Sequence, residues 1–467
     1  MRFLFPVLFL LAGALASAAP VEAFKFSAPL TLELRNAQWF DGQGWKKGTL
    51  YVAEGKFSAQ KPKRVNRSMT LKGQYLIAPL AEAHNHNLQN DWGLANFAAR
   101  YLLDGVFYAF MPCADPSAFD PLRDRIDLDD TPDVVASTAC ITSSDGWPLA
   151  TLPAGSADKA VLTIDNAAEI ERKWPQVLAR QSQGGEWITV TLSYHERSEL
   201  RRRADLKGRL GMDPDVVTEL TSRAHKAGLR VAANVDSAAD FSAAVAAGVD
   251  LITQMPGYFN LHGDGPERFM IKPEQAEAAA RRQVAVATTT ASTLLFKATP
   301  ERLAMLRQVQ LRNLETLKAA GVTLLLGSDS LMETAQAELH SLEDLGVFSP
   351  AELLKLATVT TARTLFPQRR LGCFEPGCEA SFLLLGSDPL EDSSALDMPL
   401  LRVKQGRLLS QSEEVAEAGD KTSIATGGPP SKKPAARKKA PAKRPAGKPA
   451  PKAPAKSTTK PRPATAN

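Results

Sequence analysis

A repeated alternation of short apolar runs and longer amphipathic segments between residues 79 and 368 most constrains the fold of this chain. Eight of the runs have the length and composition of strands covered on both faces, at 77–83, 105–111, 133–141, 187–193, 229–235, 249–254, 283–289 and 321–327. Stretches of helical length lie between them, at 166–181, 214–227, 237–247, 273–282, 300–319 and 350–365. Strands that alternate with helices form a parallel sheet, and eight strands close a barrel. The sequence therefore predicts a (β/α)8, TIM-like barrel of the α/β class over residues 79–368.

The segments on either side of the barrel have a different pattern. Residues 28–78 and 369–410 are rich in strand-forming residues and turn signals, and neither shows helical periodicity. We expect them to assemble into one small β-sandwich domain that is built from both chain ends.

The first residues are typical of an export signal. Arg2 precedes the apolar run 3–15, and Ala16-Ser17-Ala18 offers small residues for cleavage, so residues 1–18 predict a signal peptide. That run is short for a membrane span, and no second long apolar stretch follows, so no transmembrane segment is expected. The mature protein is predicted to be exported, to the periplasm or the medium.

The last residues are predicted to be a disordered linker and tail, at 411–467. Residues 431–467 contain twelve Lys or Arg, eight Pro and ten Ala, and no acidic residue, so this segment cannot bury a core. A flexible polycation binds polyanions non-specifically, which outside the cytoplasm means cell-envelope polymers rather than a specific nucleic acid. A solubilising tail without a partner is the alternative.

Four cysteines fall in what would be an oxidising compartment. Cys113 and Cys140 each end an apolar run, and Cys373 and Cys378 flank a turn. The pairing 113–140 and 373–378 is the simplest of three arrangements, and buried free thiols are the alternative.

The first predicted barrel strand ends in two histidines, His84 and His86, that are separated by one residue. Side chains at i and i+2 of a strand project to the same side, so both imidazoles can point at one atom. Two imidazoles that converge in this way are typical ligands of a divalent metal, whereas a chance pair on a strand face is the alternative.

These features resemble the amidohydrolase superfamily of metal-dependent hydrolases, which includes imidazolonepropionase and dihydroorotase, over roughly residues 28–410. The motifs that carry the resemblance are Asn36-Ala-Gln-Trp-Phe-Asp-Gly, His84-Asn-His86, Ala224-His-Lys-Ala-Gly-Leu, Ala247-Gly-Val-Asp, Gly327-Ser-Asp329, Leu371-Gly-Cys-Phe-Glu-Pro-Gly and Asp388-Pro-Leu. The resemblance implies that His84, His86 and Asp329 bind metal. It also implies that Asp329 accepts a proton from the attacking water.

Three other ligand positions of the family are replaced in this chain. The bridging lysine of strand four becomes Thr189, and the histidines of strands five and six become Asn234 and Gln254. Neutral hydroxyl and amide groups are poor ligands of transition metals, so a binuclear centre is not expected. Two imidazoles and one carboxylate instead suit one divalent ion with an open position, which would be zinc, or alternatively manganese or iron.

Other residues could replace the lost ligands. His195 and His262 follow strands four and six and Asp236 follows strand five, all at the barrel face where catalysis takes place. An isolated residue of this kind more often belongs to a loop than to a metal site. His225 and His340 are interpreted as surface or packing residues. Four aromatic residues follow barrel strands and either line a pocket for an organic substrate or pack ordinarily: Trp92, Trp147, Tyr194 and Tyr258.

Two functions follow from these observations. The first is an exported hydrolase that cleaves C–N bonds other than peptide bonds, or C–O bonds, of a small organic substrate at a reduced, mononuclear metal site. The alternative is a catalytically inactive relative that binds a ligand at the barrel mouth and serves as a scaffold in the cell envelope. No phosphate-binding loop or dinucleotide fingerprint is present in the sequence.

Overall fold

The computed structural model describes residues 25–152, 157–181, 185–257, 264–295 and 299–410. The predicted signal peptide, the predicted tail, Tyr258 and His262 lie outside these residues. In the described ranges, none of the helices combines the length and the apolar character that crossing a bilayer requires.

The strands of these ranges are numbered in chain order. They are β1 (Lys25–Phe26), β2 (Leu32–Phe40), β3 (Trp45–Ala53), β4 (Lys56–Ser58), β5 (Arg67–Thr70), β6 (Tyr75–Ile77), β7 (Leu80–Glu82), β8 (Val106–Met111), β9 (Asp133–Thr142), β10 (Val161–Thr163), β11 (Trp187–Leu192), β12 (Arg230–Val235), β13 (Leu251–Ile252), β14 (Ala285–Ala287), β15 (Leu324–Leu325), β16 (Phe382–Leu385), β17 (Leu401–Lys404) and β18 (Arg407–Ser410).

The helices are numbered in the same way. They are α1 (Asp91–Leu103), α2 (Pro116–Phe119), α3 (Ala157–Ala160), α4 (Ala167–Arg180), α5 (Pro214–Lys226), α6 (Ala238–Ala247), α7 (Pro273–Arg281), α8 (Pro300–Ala319), α9 (Ala335–Leu345), α10 (Pro350–Lys355) and α11 (Thr361–Leu365). A π-helical turn, Leu356–Thr360, joins the last two into the single helical stretch that the sequence predicts.

Eight parallel strands form a nearly closed barrel, in the order β7, β8, β9, β11, β12, β13, β14 and β15. Backbone hydrogen bonds bring the first and last strands together, because Ala83 N donates to Leu326 O and Asp329 N donates to His84 O, both at 2.7 Å. β10 pairs with β9 outside this ring. Strands β8 and β11 are buried along their whole length, as expected for strands that are covered on both faces.

Large side chains fill the barrel interior near the beginnings of its strands. The Trp187 ring, at the first residue of β11, is 1% exposed and packs against Phe110 with ring centroids 5.1 Å apart. The Arg230 guanidinium lies 4.0 Å from the centre of the Trp187 ring and closes this end. The open space therefore lies toward the carboxyl ends of the strands, where barrel sites are found.

A second, mostly antiparallel sheet joins the two ends of the described chain in the order β1, β18, β17, β16, β6, β2, β3 and β4, with β5 beside β2. Its own core includes Leu32, Val52, Phe57 and Phe382, all of them buried. The structure thus confirms the predicted fold class, a TIM-like barrel that carries a small β domain built from both chain ends.

Candidate metal centre

Two neighbouring strand ends bring His84, His86 and Asp329 together. The histidines follow β7 and Asp329 follows β15. The backbone hydrogen bond from Asp329 N to His84 O fixes their relative positions along the barrel axis. Asp329 has a φ of +42°, a left-handed conformation that aspartate tolerates better than most residues. His84 is buried, while the side chains of His86 and Asp329 are 33% and 13% exposed.

The three side chains form a small triangle of potential ligand atoms. His84 Nε2 lies 3.3 Å from His86 Nε2 and 3.4 Å from Asp329 Oδ1, and His86 Nε2 lies 3.5 Å from the same oxygen. Ligands that bind a tetrahedral zinc ion at about 2.1 Å are separated from one another by about 3.4 Å. The triangle therefore has the size that one divalent ion requires, with a fourth position left for substrate or water.

The partner of His84 favours the tautomer that a metal needs. Its Nδ1 lies 2.6 Å from the carbonyl oxygen of Thr253, which only accepts hydrogen bonds. The Nδ1 proton is held there, so Nε2 keeps its lone pair on the side of the triangle.

His86 is oriented by Gln89. The Gln89 Nε2 atom lies 2.7 Å from His86 Nδ1 and donates to the carbonyl oxygen of Cys113, also at 2.7 Å. Burial lowers the pKa of His86 to about 4, although the Asp329 carboxylate acts in the opposite direction. The neutral imidazole that binds metal must carry its proton on Nδ1, whereas an amide nitrogen donates to Nδ1 and leaves the proton on Nε2. Metal binding at Nε2 therefore requires this proton to move to Nδ1 and the Gln89 amide to turn its oxygen toward the ring.

A buried carboxyl group, Glu82, holds the two strand ends beneath the triangle. Its oxygens accept hydrogen bonds from the Ser328 backbone at 2.7 Å, from the Ser328 hydroxyl at 2.8 Å and from the His84 backbone at 3.3 Å. Burial raises the pKa of Glu82 to about 8, against these hydrogen bonds. We did not predict this role, although an acidic residue inside an apolar strand run was a visible signal.

Thr189, Asn234 and Gln254, where the resemblance to the family implies further ligands, line the same cavity as the triangle. The Thr189 hydroxyl donates to the carbonyl oxygen of Pro112, and the Thr253 hydroxyl donates to the side-chain oxygen of Asn234. Gln254 Nε2 donates to the carbonyl oxygen of Val235 at 3.1 Å. Each of these side chains is thus engaged with a protein neighbour.

The suggested replacement ligands have different surroundings. His195 is not among the residues that line the cavity, because its Nδ1 is held 2.7 Å from Asp240, a buried carboxylate at the start of α6. Glu196 lies near this pair, but the Asp240 oxygens already accept hydrogen bonds from Tyr194, His195 and Ser237, so we interpret the group as an ion pair. Asp236 does line the cavity.

The cavity has a volume of about 570 Å³ and a largely apolar wall. Residues of its wall include Ile141, Trp147, Pro148, Leu152, Val161, Leu192, Val235 and Leu331. Trp147 thus lies where the sequence suggested, whereas Tyr194 packs in a buried cluster with Leu200, Leu206 and Leu210, and Trp92 is 61% exposed.

Both cysteine pairs are bonded in the arrangement 113–140 and 373–378, with Cα–Cα distances of 5.4 and 5.8 Å. The first disulfide is part of the cavity wall and joins the end of β9 to the loop after β8. Because Gln89 donates to Cys113, this disulfide also supports the residue that contacts His86.

Comparison with known proteins places these features in a wider group. Residues 141–398, more than half of the chain, match the sequence profile described as the amidohydrolase family. No curated protein matches the sequence.

Solved structures that share the fold include ochratoxinase from A. niger, a Xaa-Pro dipeptidase with methionine bound in its active site, and molinate hydrolase. Their sequence identities are 19%, 18% and 17%, and their TM-scores are 0.65, 0.63 and 0.62. Each alignment covers 82% of this chain, and 96%, 100% and 95% of the respective relative. At such identities, the similarity shows the fold alone.

Proposed function

Because this chain belongs to the amidohydrolase family, we propose that it is a metal-dependent hydrolase of a small organic substrate. The bond that it cleaves is a C–N bond other than a peptide bond, or a C–O bond. The convergence of His84, His86 and Asp329 within 3.5 Å of one another, at the floor of a cavity, carries this proposal. Molinate hydrolase, a fold relative whose name denotes a hydrolase, supports the choice of a hydrolytic reaction.

His84 Nε2, His86 Nε2 and Asp329 Oδ1 would hold one divalent ion, zinc in the first place and manganese or iron(II) otherwise. Such an ion supplies Lewis acidity and acidifies water toward neutral pH. Thr253 keeps the proton of His84 on Nδ1, and Gln89 fixes the ring of His86.

Asp329 has the second role in the proposed reaction, as the group that moves a proton. One of its oxygens faces the imidazoles, and the carboxylate accepts a proton from the attacking water and delivers it to the leaving nitrogen or oxygen. The side-chain oxygen of Asn234 is held by the Thr253 hydroxyl, so its amide nitrogen is the group left to donate to a substrate oxygen in the cavity.

The second candidate is a ligand-binding protein without catalysis. The hydrogen bonds that Thr189, Asn234 and Gln254 make with protein neighbours favour it, because side chains engaged with the protein are less available to an ion or a substrate. Metal-dependent turnover that disappears in His86→Ala would exclude this candidate.

The first test is the metal content of the purified protein after loading with zinc, manganese or iron(II). We expect about one ion per chain in the wild type and its loss in His84→Ala and in Asp329→Ala, because two remaining ligands hold a divalent ion poorly. His225→Ala is the matched control, since this histidine lies on α5 and pairs with Asp250 outside the cavity. A wild type without stoichiometric metal, or variants that retain it, would contradict the proposed function.

We also propose that the protein acts outside the cytoplasm and that its basic tail binds envelope polyanions. The predicted signal peptide and the two cysteine pairs support export. Cell fractionation of the full chain tests the location, and accumulation in the cytoplasm would contradict it.

A further inference from the structure

Among the residues that line the cavity in the described part of the chain, Arg209 is the only lysine or arginine. It lies in the segment between β11 and α5, and it shares the cavity wall with Trp147, Leu152 and Val161. A cation in a pocket whose wall is mostly apolar is the kind of polar group that fixes the orientation of a ligand. It is opposite in charge to three carboxylates in the same cavity, those of Asp115, Asp236 and Asp329.

The guanidinium of Arg209 is half-buried, and within the described ranges it forms no ion pair and no side-chain hydrogen bond. Other arginines of the same segment do have carboxylate partners. Arg201 pairs with Asp145 at 2.5 Å, and Arg203 pairs with Asp205 at 2.6 Å. A partly buried guanidinium usually pairs with a carboxylate. Because Arg209 lacks such a partner in the described ranges, its N–H donors remain available for a ligand.

The backbone around Arg209 is fixed by the loop that follows β9. Trp147 N donates to Leu210 O at 2.7 Å, Leu210 N donates to Asp145 O at 3.1 Å, and Ala150 N donates to Gly208 O at 3.0 Å. Gly208 has a φ of +80°, and a Cβ there would lie 2.7 Å from Ala150 N, so this close approach requires glycine. Arg209 is therefore presented from a pre-organised position beside Trp147.

We infer that Arg209 binds a carboxylate group of the substrate. A planar guanidinium matches a carboxylate with two parallel hydrogen bonds, and the neighbouring apolar wall accommodates an apolar body. The substrate class is then an amide or ester that carries one free carboxylate and an apolar or aromatic part. The inference deepens the proposed function and rests on it only for the bond that is cleaved.

The test compares two probes of the same shape, N-benzoyl-L-leucine and N-benzoyl-L-leucinamide, which differ in the charge of one end. Calorimetric titration of the full chain, treated with chelator and separately loaded with zinc, gives the affinity for each. We expect the acid to bind at least about tenfold more tightly than the amide in both preparations, because a charge-assisted hydrogen bond contributes that much.

Two variants assign the preference to one residue. Arg209→Met retains the apolar length without the charge, and it should bind acid and amide equally while its affinity for the amide stays that of the wild type. Arg202→Gln is the control, because Arg202 is exposed in the same segment and is absent from the cavity wall. It should keep the full preference for the acid.

The outcomes separate this inference from the proposed function. A preference for the acid in chelator-treated protein that disappears in Arg209→Met supports the carboxylate site even if no metal is bound and no hydrolysis occurs. Equal affinities in the wild type, a preference that survives in Arg209→Met, or a failure to bind either probe overturns it, even if the metal analysis succeeds.

Discussion

At the scale of single residues, Gln89 connects the Cys113–Cys140 disulfide in the cavity wall to His86, one of the three potential metal ligands. One amide nitrogen makes both contacts, to His86 Nδ1 and to the Cys113 carbonyl oxygen, each at 2.7 Å. Partners that accept the second ring proton of a metal-binding imidazole are worth about ten- to a hundredfold in metal affinity, and an amide nitrogen cannot accept it. The contact therefore predicts a measurable effect on zinc binding.

Gln89→Glu should strengthen zinc binding by about tenfold over the wild type, because a carboxylate accepts the Nδ1 proton of His86 and leaves the lone pair on Nε2. Gln89→Leu should not reach this affinity, since leucine offers no acceptor for the Nδ1 proton. Competition with a zinc-binding dye at neutral pH measures both affinities. Wild-type affinity in Gln89→Glu would show that the partner of His86 Nδ1 does not control zinc binding.

The residues that the sequence did and did not reveal differ in how their positions are set. His84, His86 and Asp329 stand at strand ends, and strand order alone brings strand ends together at one face of a barrel. Arg209 and Gln89 lie in loops, whose shapes depend on distant hydrogen bonds such as that between Trp147 and Leu210. No local pattern encodes such contacts, so these two residues became visible only in the structure.

At the scale of elements, Asp240 ties helix α6 to the loop that follows β11. It is buried at the start of α6, where it forms a capping box with Ser237, and it also accepts from the backbone of Tyr194 and from His195 Nδ1. The hydrogen bond to Asp240 raises the pKa of His195, against a smaller effect of burial. Hydrogen bonds from His195 and Ser237 lower the pKa of Asp240 despite its burial.

The His195–Asp240 pair stabilises the fold less as the pH rises. Because the pKa of His195 is raised on folding, its stabilising effect is complete below its unfolded value of about 6.5 and is lost as the pH rises through the folded pKa. His195→Gln should therefore lower the melting temperature by a few degrees more near pH 5.5 than near pH 9. Thermal unfolding at the two pH values measures this, and an equal loss at both would contradict it.

Helix boundaries could be predicted where the chain carries its own end signals. The stretch 300–319 agrees with α8, whose cap Thr299 and following Pro300 are typical of a helix start. Helices α1 and α9 were missed, as was β10. α1 has a glycine in its first turn and an exposed Trp92, so packing against the barrel defines it better than local preference does.

At the scale of the whole molecule, a buried group of charges joins the sheet made from the chain ends to the barrel. Lys404, at the end of β17, lies 2.6 Å from Asp133, the first residue of β9, and both side chains are 2% exposed. Arg369 lies 2.7 Å from the other oxygen of Asp133 and 2.7 Å from Glu379. Lys404 also donates to the carbonyl oxygens of Leu128 and Thr131, both at 2.6 Å.

Removing Lys404 leaves the buried Asp133 with Arg369 as its remaining cationic partner, so the cost is about 2–3 kcal/mol, below the roughly 3–5 kcal/mol of a buried charge left fully unpaired. Lys404→Met should lower the free energy of unfolding by this amount, as measured by urea denaturation at neutral pH. Adding Asp133→Leu should recover part of the loss, since it removes the carboxylate that has lost one of its two cations while Arg369 still pairs with Glu379.

The exposed pair Lys46–Asp41 on the same sheet is the control, at 3.4 Å and with Lys46 61% exposed. Lys46→Met should cost less than about 1 kcal/mol, because water already solvates both charges. A similar cost for Lys404→Met and Lys46→Met would mean that packing alone, and not the ion group, holds the sheet to the barrel. Metal content should stay unchanged in both variants, because Asp133 begins β9 whereas the metal triangle lies beyond the opposite ends of the barrel strands.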